Sequence, residues 1–165
     1  MGTPLAIEVT DLDLAYAAGI FDGEGCVGLY TNGLIRHANR SITRPFNLEV
    51  DVANTSLFLM EWLYDRFGGT IQTGSNPAER EHFHYLTCYH WCIRSRQADT
   101  FLRLLLPFLK VKHLQVETAL RFYGEKEAFE RRVRGKNRGL RVAPEELERR
   151  SILSQRLRLL KKDVS

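Results

Sequence analysis

The sequence predicts an α+β fold: a helix, two antiparallel strands, a second helix, two further strands and a third helix, with additional helices towards the C-terminus. Three observations predict it. Residues Leu14-Ala15-Tyr16-Ala17-Ala18-Gly19-Ile20-Phe21-Asp22-Gly23-Glu24-Gly25 form a helix-compatible run that stops at its glycines. Apolar and polar residues alternate from Phe46 to Val52 and again from about His82 to Arg94, the period of strands in a sheet covered on one side. Between these strands Met60, Leu63, Tyr64 and Phe67 fall at i, i+3, i+4 and i+7, the stripe of a helix laid against that sheet.

The first helix opens at Thr10 and Asp13, which stand at capping-box spacing. Ala15, Ala18, Gly19 and Asp22 recur at spacings of three and four, so they are expected to share one face where small side chains let a second backbone come close. The glycines of Asp22-Gly23-Glu24-Gly25 permit positive φ, and carboxylates are unfavourable at a helix C-terminus. Two acids are therefore expected just past a close-packing helix.

Val27 and Leu29 then alternate with Cys26, Gly28 and Tyr30, and Thr31-Asn32-Gly33 supplies a turn. Residues 34–44, with Arg36, His37, Arg40 and Arg44, form the far end of a hairpin whose second strand sets Phe46, Leu48, Val50 and Val52 against Asn47, Glu49 and Asp51. Asn54 or Thr55 is placed to cap the second helix, and Gly68-Gly69 ends it. A strand at Thr70–Thr73 leads through Gly74-Ser75-Asn76-Pro77 to the strand 82–94. One face of that strand carries Phe83, Tyr85, Tyr89, Trp91 and Ile93, and the other carries His82, His84, Cys88, His90, Cys92 and Arg94.

Ser95 is expected to cap a helix with apolar Phe101, Leu104 and Leu105, interrupted at Pro107. A new helix starts near Lys112 and carries Leu114, Thr118, Leu120 and Phe122 to about Arg134. An exposed basic linker follows, and Pro144 opens a last helix with Leu153, Leu157 and Leu160 as its stripe.

With 165 residues and 44% hydrophobic content the chain supports one domain with a proper core. No run approaches the roughly 18 apolar residues of a membrane span, and the N-terminus lacks a secretory pattern. An intracellular protein with no membrane partner is expected. Three cysteines argue against a disulfide framework. The net charge is +4, but residues 131–165 hold twelve Lys or Arg against four acids. This asymmetry points to a polyanionic partner.

Ala17-Ala18-Gly19-Ile20-Phe21-Asp22-Gly23-Glu24-Gly25 resembles the LAGLIDADG motif of the homing endonucleases, with Ala17 in place of Leu and Glu24 in place of the second Asp. Leu106-Pro107-Phe108-Leu109-Lys110-Val111-Lys112 is similar to a stretch of the single-motif intron-encoded enzymes. The αββαββα order fits the same family over about residues 11–123, with 131–165 as a basic helical extension of a single 1–165 domain. The resemblance implies a saddle-shaped antiparallel sheet. It also implies a site-specific double-strand DNA endonuclease using Mg²⁺ or Mn²⁺, with Ca²⁺ as a non-cleaving substitute.

Carried over residue by residue, Glu24 and the Gly23 carbonyl would bind metal. Lys112 would stabilise the charge developing on phosphate. Asn54 would position the attacking water, although an ungapped alignment puts Val52 there. Asp22 would brace helix ends.

No second motif occurs, so a homodimer meeting through Ala15, Ala18, Gly19 and Asp22 is expected, with an approximately palindromic target. Base readout would fall to Arg36, Arg40, Arg44, Asn47, Glu49, Gln72, Arg80, His82, His84 and Arg94. Basic residues after Arg131 would hold phosphates.

Two alternatives stay open. A non-cleaving RNA-splicing maturase or DNA-binding regulator would share the fold. Zinc on Cys88, Cys92, His84 and His90 is disfavoured, because alternate residues of one strand do not converge. The host compartment, bacterial or phage cytoplasm or an organelle, is not specified by the sequence.

Overall fold

The computed structural model describes residues 8–31, 35–36, 42–43, 46–74, 86–134 and 144–162. Helix α1 (Asp11–Glu24) leads into β1 (Gly25–Thr31), the short β2 (Ile35–Arg36) and β3 (Ile42–Thr43), and β4 (Phe46–Asn54). Helix α2 (Leu57–Phe67), β5 (Thr70–Gly74), β6 (Cys88–Arg94) and α3 (Ser95–Leu105) follow. A 3₁₀ turn (Leu106–Phe108) at Pro107 connects to α4 (His113–Arg134), and α5 (Pro144–Lys162) comes last. The main sheet is antiparallel in the order β1-β4-β6-β5, while β2 and β3 pair as a separate ribbon.

The predicted alternation sets the two faces of this sheet. Val27, Leu29, Leu48, Val50, Val52, Trp91 and Ile93 are buried towards the helices. Phe101 of α3 stands edge-on to Trp91 at 5.2 Å and to Phe67 at 4.9 Å, and Phe21 of α1 lies 6.3 Å from it. Helix α4 adds Val116, Ala119, Leu120 and Phe122, and Leu157 of α5 closes the same cluster.

The Thr10–Asp13 capping box is present, with Thr10 Oγ1 accepting from the Asp13 amide and the Asp13 carboxylate accepting from the Thr10 amide. The other end of α1 differs from expectation. Gly25 is extended (φ −76°, ψ 154°), and the described residues hold no left-handed glycine there. Close approach explains this glycine instead, because a Cβ on Gly25 would fall inside the Phe21 ring. Left-handed glycines do end α2, where Gly68 (φ 69°) and Gly69 (φ 101°) turn the chain and the Gly68 carbonyl accepts from Trp91 Nε1 at 2.8 Å.

Helix starts and stripes also shift. Ser56 caps α2, not Asn54 or Thr55, its Oγ accepting from the Leu59 amide. Arg94 is the N-cap of α3 without a side-chain bond, and Ser95 is its first residue, in the left-handed region at φ 52°. Tyr64, Leu104 and Leu114 of the expected stripes are exposed, whereas Met60, Leu63, Phe101, Leu105, Leu120 and Phe122 are buried as expected. Ala98 and Leu102 complete the core face of α3, and Val116 that of α4.

Candidate functional site

Helix α1 has four distinct sides. Leu14, Ala17, Ala18 and Phe21 face the core, Ala18 only 1% exposed. Asp13, Tyr16 and Glu24 face α2 and the end of β4. There Asp13 pairs with Arg66 Nε at 2.7 Å, Tyr16 stands edge-on to Trp62 at 4.9 Å, and Glu24 accepts from Asn54 Nδ2. On the opposite flank Asp22 faces the 110–112 segment. Leu12, Ala15, Gly19 and Gly23 are left exposed, Leu12 at 84%.

This corrects the expected contact face. Ala18 lies inside its own protomer, and Asp22 is engaged by its own chain, so of the four residues only Ala15 and Gly19 remain on the open side. The four straddle the helix edge: Ala18 packs into the protein's own core, and Asp22 turns to the amides of residues 110–112. A groove of about 430 Å³ runs along the open side, bounded by Ala15, Tyr16, Gly19, Ile20, Gly23, Glu24 and Leu59. Exposed Phe58 stands on neighbouring α2.

The two acids have separate partners. Asp22 Oδ2 accepts from the amides of Lys110 (2.7 Å) and Val111 (3.2 Å), and Oδ1 from that of Lys112 (2.9 Å). These amides precede α4, so one carboxylate satisfies donors at that helix start. Glu24 is exposed at the end of α1, one carboxylate oxygen taken by the Asn54 amide. Asn54 Oδ1 in turn accepts from the Ser56 amide at 2.8 Å, which fixes its rotamer. Val52, the ungapped alternative, is buried in the core.

Lys112 Nζ donates to the carbonyls of Phe21 and Asp22, both at 2.8 Å, and so caps the negative end of α1. Burial pushes its ammonium below the ordinary lysine value, against the opposing pull of Asp22. Lys112 lies in a cavity of about 310 Å³ with Asp22, Gly23, Cys26 and Lys161, and Gly23 also lines the Glu24 groove. The structure thus joins Glu24 to Asn54 directly and sets Lys112 across the helix end from them. Among the described residues no group of three or more His, Cys, Asp or Glu side chains can hold a metal. A cation at Glu24 and the Gly23 carbonyl would therefore draw its other ligands from water, phosphate or a second chain.

The outer sheet face is polar and cross-paired. Glu49 binds Arg94 Nε, Asp51 Oδ1 lies 3.1 Å from His90 Nδ1, and Asn47 Oδ1 is 3.4 Å from Lys126 Nζ. Gln72 is exposed beside His90 in the β5–β6 register. Of the remaining readout candidates, Arg40, Arg44, Arg80, His82 and His84 lie outside the described residues, and Arg36 is described only as backbone of β2. For zinc, Cys88 Sγ and His90 Nε2 approach to 3.9 Å, while His84 lies outside the described residues. His90, weighed in the sequence only as a disfavoured zinc ligand, and Lys161 are not among the sequence-predicted site residues. The Asp51–His90 pairing was legible only once the β4–β6 register was known, and nothing local marks Lys161 among its basic neighbours. No helix among the described residues is long and apolar enough to cross a membrane.

No family model matches the sequence, and no curated protein matches it significantly. Solved structures do match. I-CvuI, a homing endonuclease in complex with a DNA target in the presence of magnesium, superposes with a TM-score of 0.65 at 19% identity, covering 90% of this chain and 82% of that one. I-Vdi141I, an archaeal intron-encoded homing endonuclease complexed with DNA, gives 0.64 at 14% identity over 91% and 84%. The homing endonuclease I-TnaI gives 0.58 at 17% identity over 94% and 100%. With its antiparallel sheet under α1, α3 and α4, the chain has the fold of the LAGLIDADG homing endonucleases.

Proposed function

We propose that this protein is a site-specific endonuclease that hydrolyses both strands of double-stranded DNA with a divalent metal, acting as a homodimer on a long, roughly palindromic target. The observation that carries this reading is the division of labour at the end of α1. Asp22 is held by three amides of its own chain, while Glu24 stays exposed, oriented by Asn54. A structural acid already held by its own chain needs no exposed twin two residues later. An exposed, oriented carboxylate beside a lysine suits phosphodiester chemistry.

Glu24 and the Gly23 carbonyl are hard oxygen donors on an open surface, which fits Mg²⁺ or Mn²⁺. When bound, such an ion activates water and steadies the leaving oxygen. Asn54 holds the Glu24 carboxylate in place and presents its amide to the attacking water. Lys112, anchored on the α1 carbonyls, offers its ammonium to the charge growing on the phosphate oxygens.

The open side of α1, with Leu12, Ala15, Tyr16, Gly19 and Gly23 and adjoining Phe58, supports an isologous contact that brings two Glu24 side chains together. DNA lies along the polar sheet face, where Asn47, Glu49, Gln72 and Arg94 meet base edges together with the arginines and histidines of residues 36–44 and 80–84. Exposed Arg156, Arg158 and Lys162 of α5 hold phosphates. Residues 1–165 act as one domain with a core at 11–123 and a basic extension from 131.

The test is cleavage of a plasmid carrying the intronless insertion locus of the encoding gene. Linear product with Mg²⁺ and none without it is expected, and Glu24→Gln should bind the locus without cutting it. Binding by the wild type with no cleavage under Mg²⁺ or Mn²⁺ would move the protein to the maturase or regulator class. Cleavage by the Gln variant would reject Glu24 as the metal ligand.

A further inference from the structure

We infer that Lys161, in the last turn of α5, is a second phosphate-binding cation of the cleavage centre, sharing with Lys112 the cavity beside Gly23. The inference rests on the endonuclease reading. That cavity, about 310 Å³, is bounded by Asp22, Gly23, Cys26, Lys112, Gln115 and Lys161, elements separated by over a hundred residues in sequence. Lys161 points inward while its neighbour Lys162 is exposed. The placement is built rather than incidental. Leu157 is buried in the core one turn earlier, and Gln115 Nε2 donates to the Leu160 carbonyl at 3.3 Å, pinning the backbone immediately before Lys161.

The electrostatics favour an anion between the two lysines. Burial is the main force that pushes the Lys112 ammonium down, Asp22 and Cys26 pull it up, and Lys161 adds a smaller downward push, so the two ammonium groups sense each other across the cavity they both line. An oxyanion placed between them turns that repulsion into attraction to a common ligand. Lys161 Nζ lies 3.0 Å from Cys26 Sγ, and a thiol sulfur is a weak acceptor. A phosphate oxygen is a stronger, charge-assisted acceptor than this sulfur. Gly23 lines both this cavity and the Glu24 groove, which sets the anion beside the carboxylate proposed to bind metal. A DNA phosphate next to the scissile one meets these requirements.

The test is the salt dependence of binding to the insertion-locus duplex, with Ca²⁺ replacing Mg²⁺. Each phosphate contact adds about 0.9 to the slope of log affinity against log salt, or about 1.8 for a pair of subunits. Between about 50 and about 200 mM KCl, Lys161→Met should therefore lose roughly twelvefold less affinity than the wild type. Lys161→Arg should keep the wild-type slope. Lys161→Gln serves as a second neutral variant, and thermal melts of each variant report the fold. Wild-type slopes in both neutral variants would overturn the inference, as would an equal loss of slope in Lys161→Arg. A wild-type protein that binds no duplex would instead overturn the endonuclease reading beneath it.

Discussion

Replacing Asp22 with alanine separates the brace from the chemistry. The carboxylate accepts three amide bonds at 2.7, 2.9 and 3.2 Å, which tie the end of α1 to the segment before α4 beside the Lys112 ammonium bonds to the α1 carbonyls. Hydrogen bonds to a charged acceptor are worth about 1.5–3 kcal/mol each. The Lys110 and Val111 bonds are exposed, so water replaces much of their value, whereas the Lys112 bond is part-buried. A total of about 3 kcal/mol follows, which for a chain of this size lowers the melting temperature by about 6–12 °C. Asp22→Asn, which keeps one acceptor oxygen but no charge, should fall by about half as much. Glu24→Gln should melt like the wild type, because its carboxylate is exposed and Asn54 retains an amide oxygen to pair with. Calorimetric or circular-dichroism melts decide the matter. An Asp22→Ala protein melting within about 1 °C of wild type would show that the three bonds carry no net stability, and the brace argument would fail.

The Asp13 carboxyl is held down at about 2, against 3.8 for an unperturbed group, first by the Thr10 amide and then by Arg66 and the Thr10 hydroxyl. The folded state thus binds fewer protons than the unfolded state between those values, so the contribution is complete above about pH 4 and fades towards pH 2. Asp13→Asn should be less stable than wild type in denaturant titrations at pH 7 and indistinguishable from it at the acid end. Gly25→Ala drives a Cβ into Phe21 and should cost about 1–3 kcal/mol in the same titrations. Gly19→Ala meets nothing within 4 Å among the described residues, so monomer stability should hold or rise by up to about 1 kcal/mol while the proposed dimer weakens in sedimentation. Exchanging Mg²⁺ for Ca²⁺ should leave gel-shift binding intact and abolish cleavage; persistent cleavage in Ca²⁺ or in chelator would contradict the proposed oxygen-ligand site.

The fold was largely legible because its signals are local and periodic. Alternation at Phe46–Val52 fixed which side of β4 is buried, and Trp91 and Ile93 did the same for β6. Caps were legible where both partners lie within four residues, as at Thr10 and Asp13, and were missed where they compete. Asn54 has the chemistry of an N-cap, but its side chain is spent on Glu24 and on the Ser56 amide, so the cap passed to Ser56. Stripe edges were missed for a related reason. Periodicity says that Leu104 and Leu105 belong to an apolar helix, but only the way α3 docks decides that Leu105 is buried and Leu104 exposed. The candidate site was legible as residue types and not as pairings. The Glu49–Arg94 and Asp51–His90 bonds depend on strand register, and the Lys161–Cys26 contact depends on where a distant helix docks.

The spacing of the two acids follows from helix geometry. At about 100° per residue, positions 22 and 24 are roughly 200° apart around the axis, so a carboxylate at each must look to opposite flanks. The core face, set by Leu14, Ala17, Ala18 and Phe21, lies between those flanks, and the open side lies behind them. One acid therefore meets the amides before α4, and the other meets the end of β4. Moving Glu24 by a single residue would aim it at the core or at the open side, and either way away from Asn54. A Cβ on the glycine between the acids would meet no atom within 4 Å among the described residues, so no clash there explains its missing side chain. Alanine would be favoured by about 1 kcal/mol in the last turn of a helix. The proposed second α1 laid against the open side, with a phosphate beside each Glu24, would give the glycine a purpose, and Gly23→Ala should then weaken the dimer in sedimentation while leaving the protomer's melt unchanged or higher.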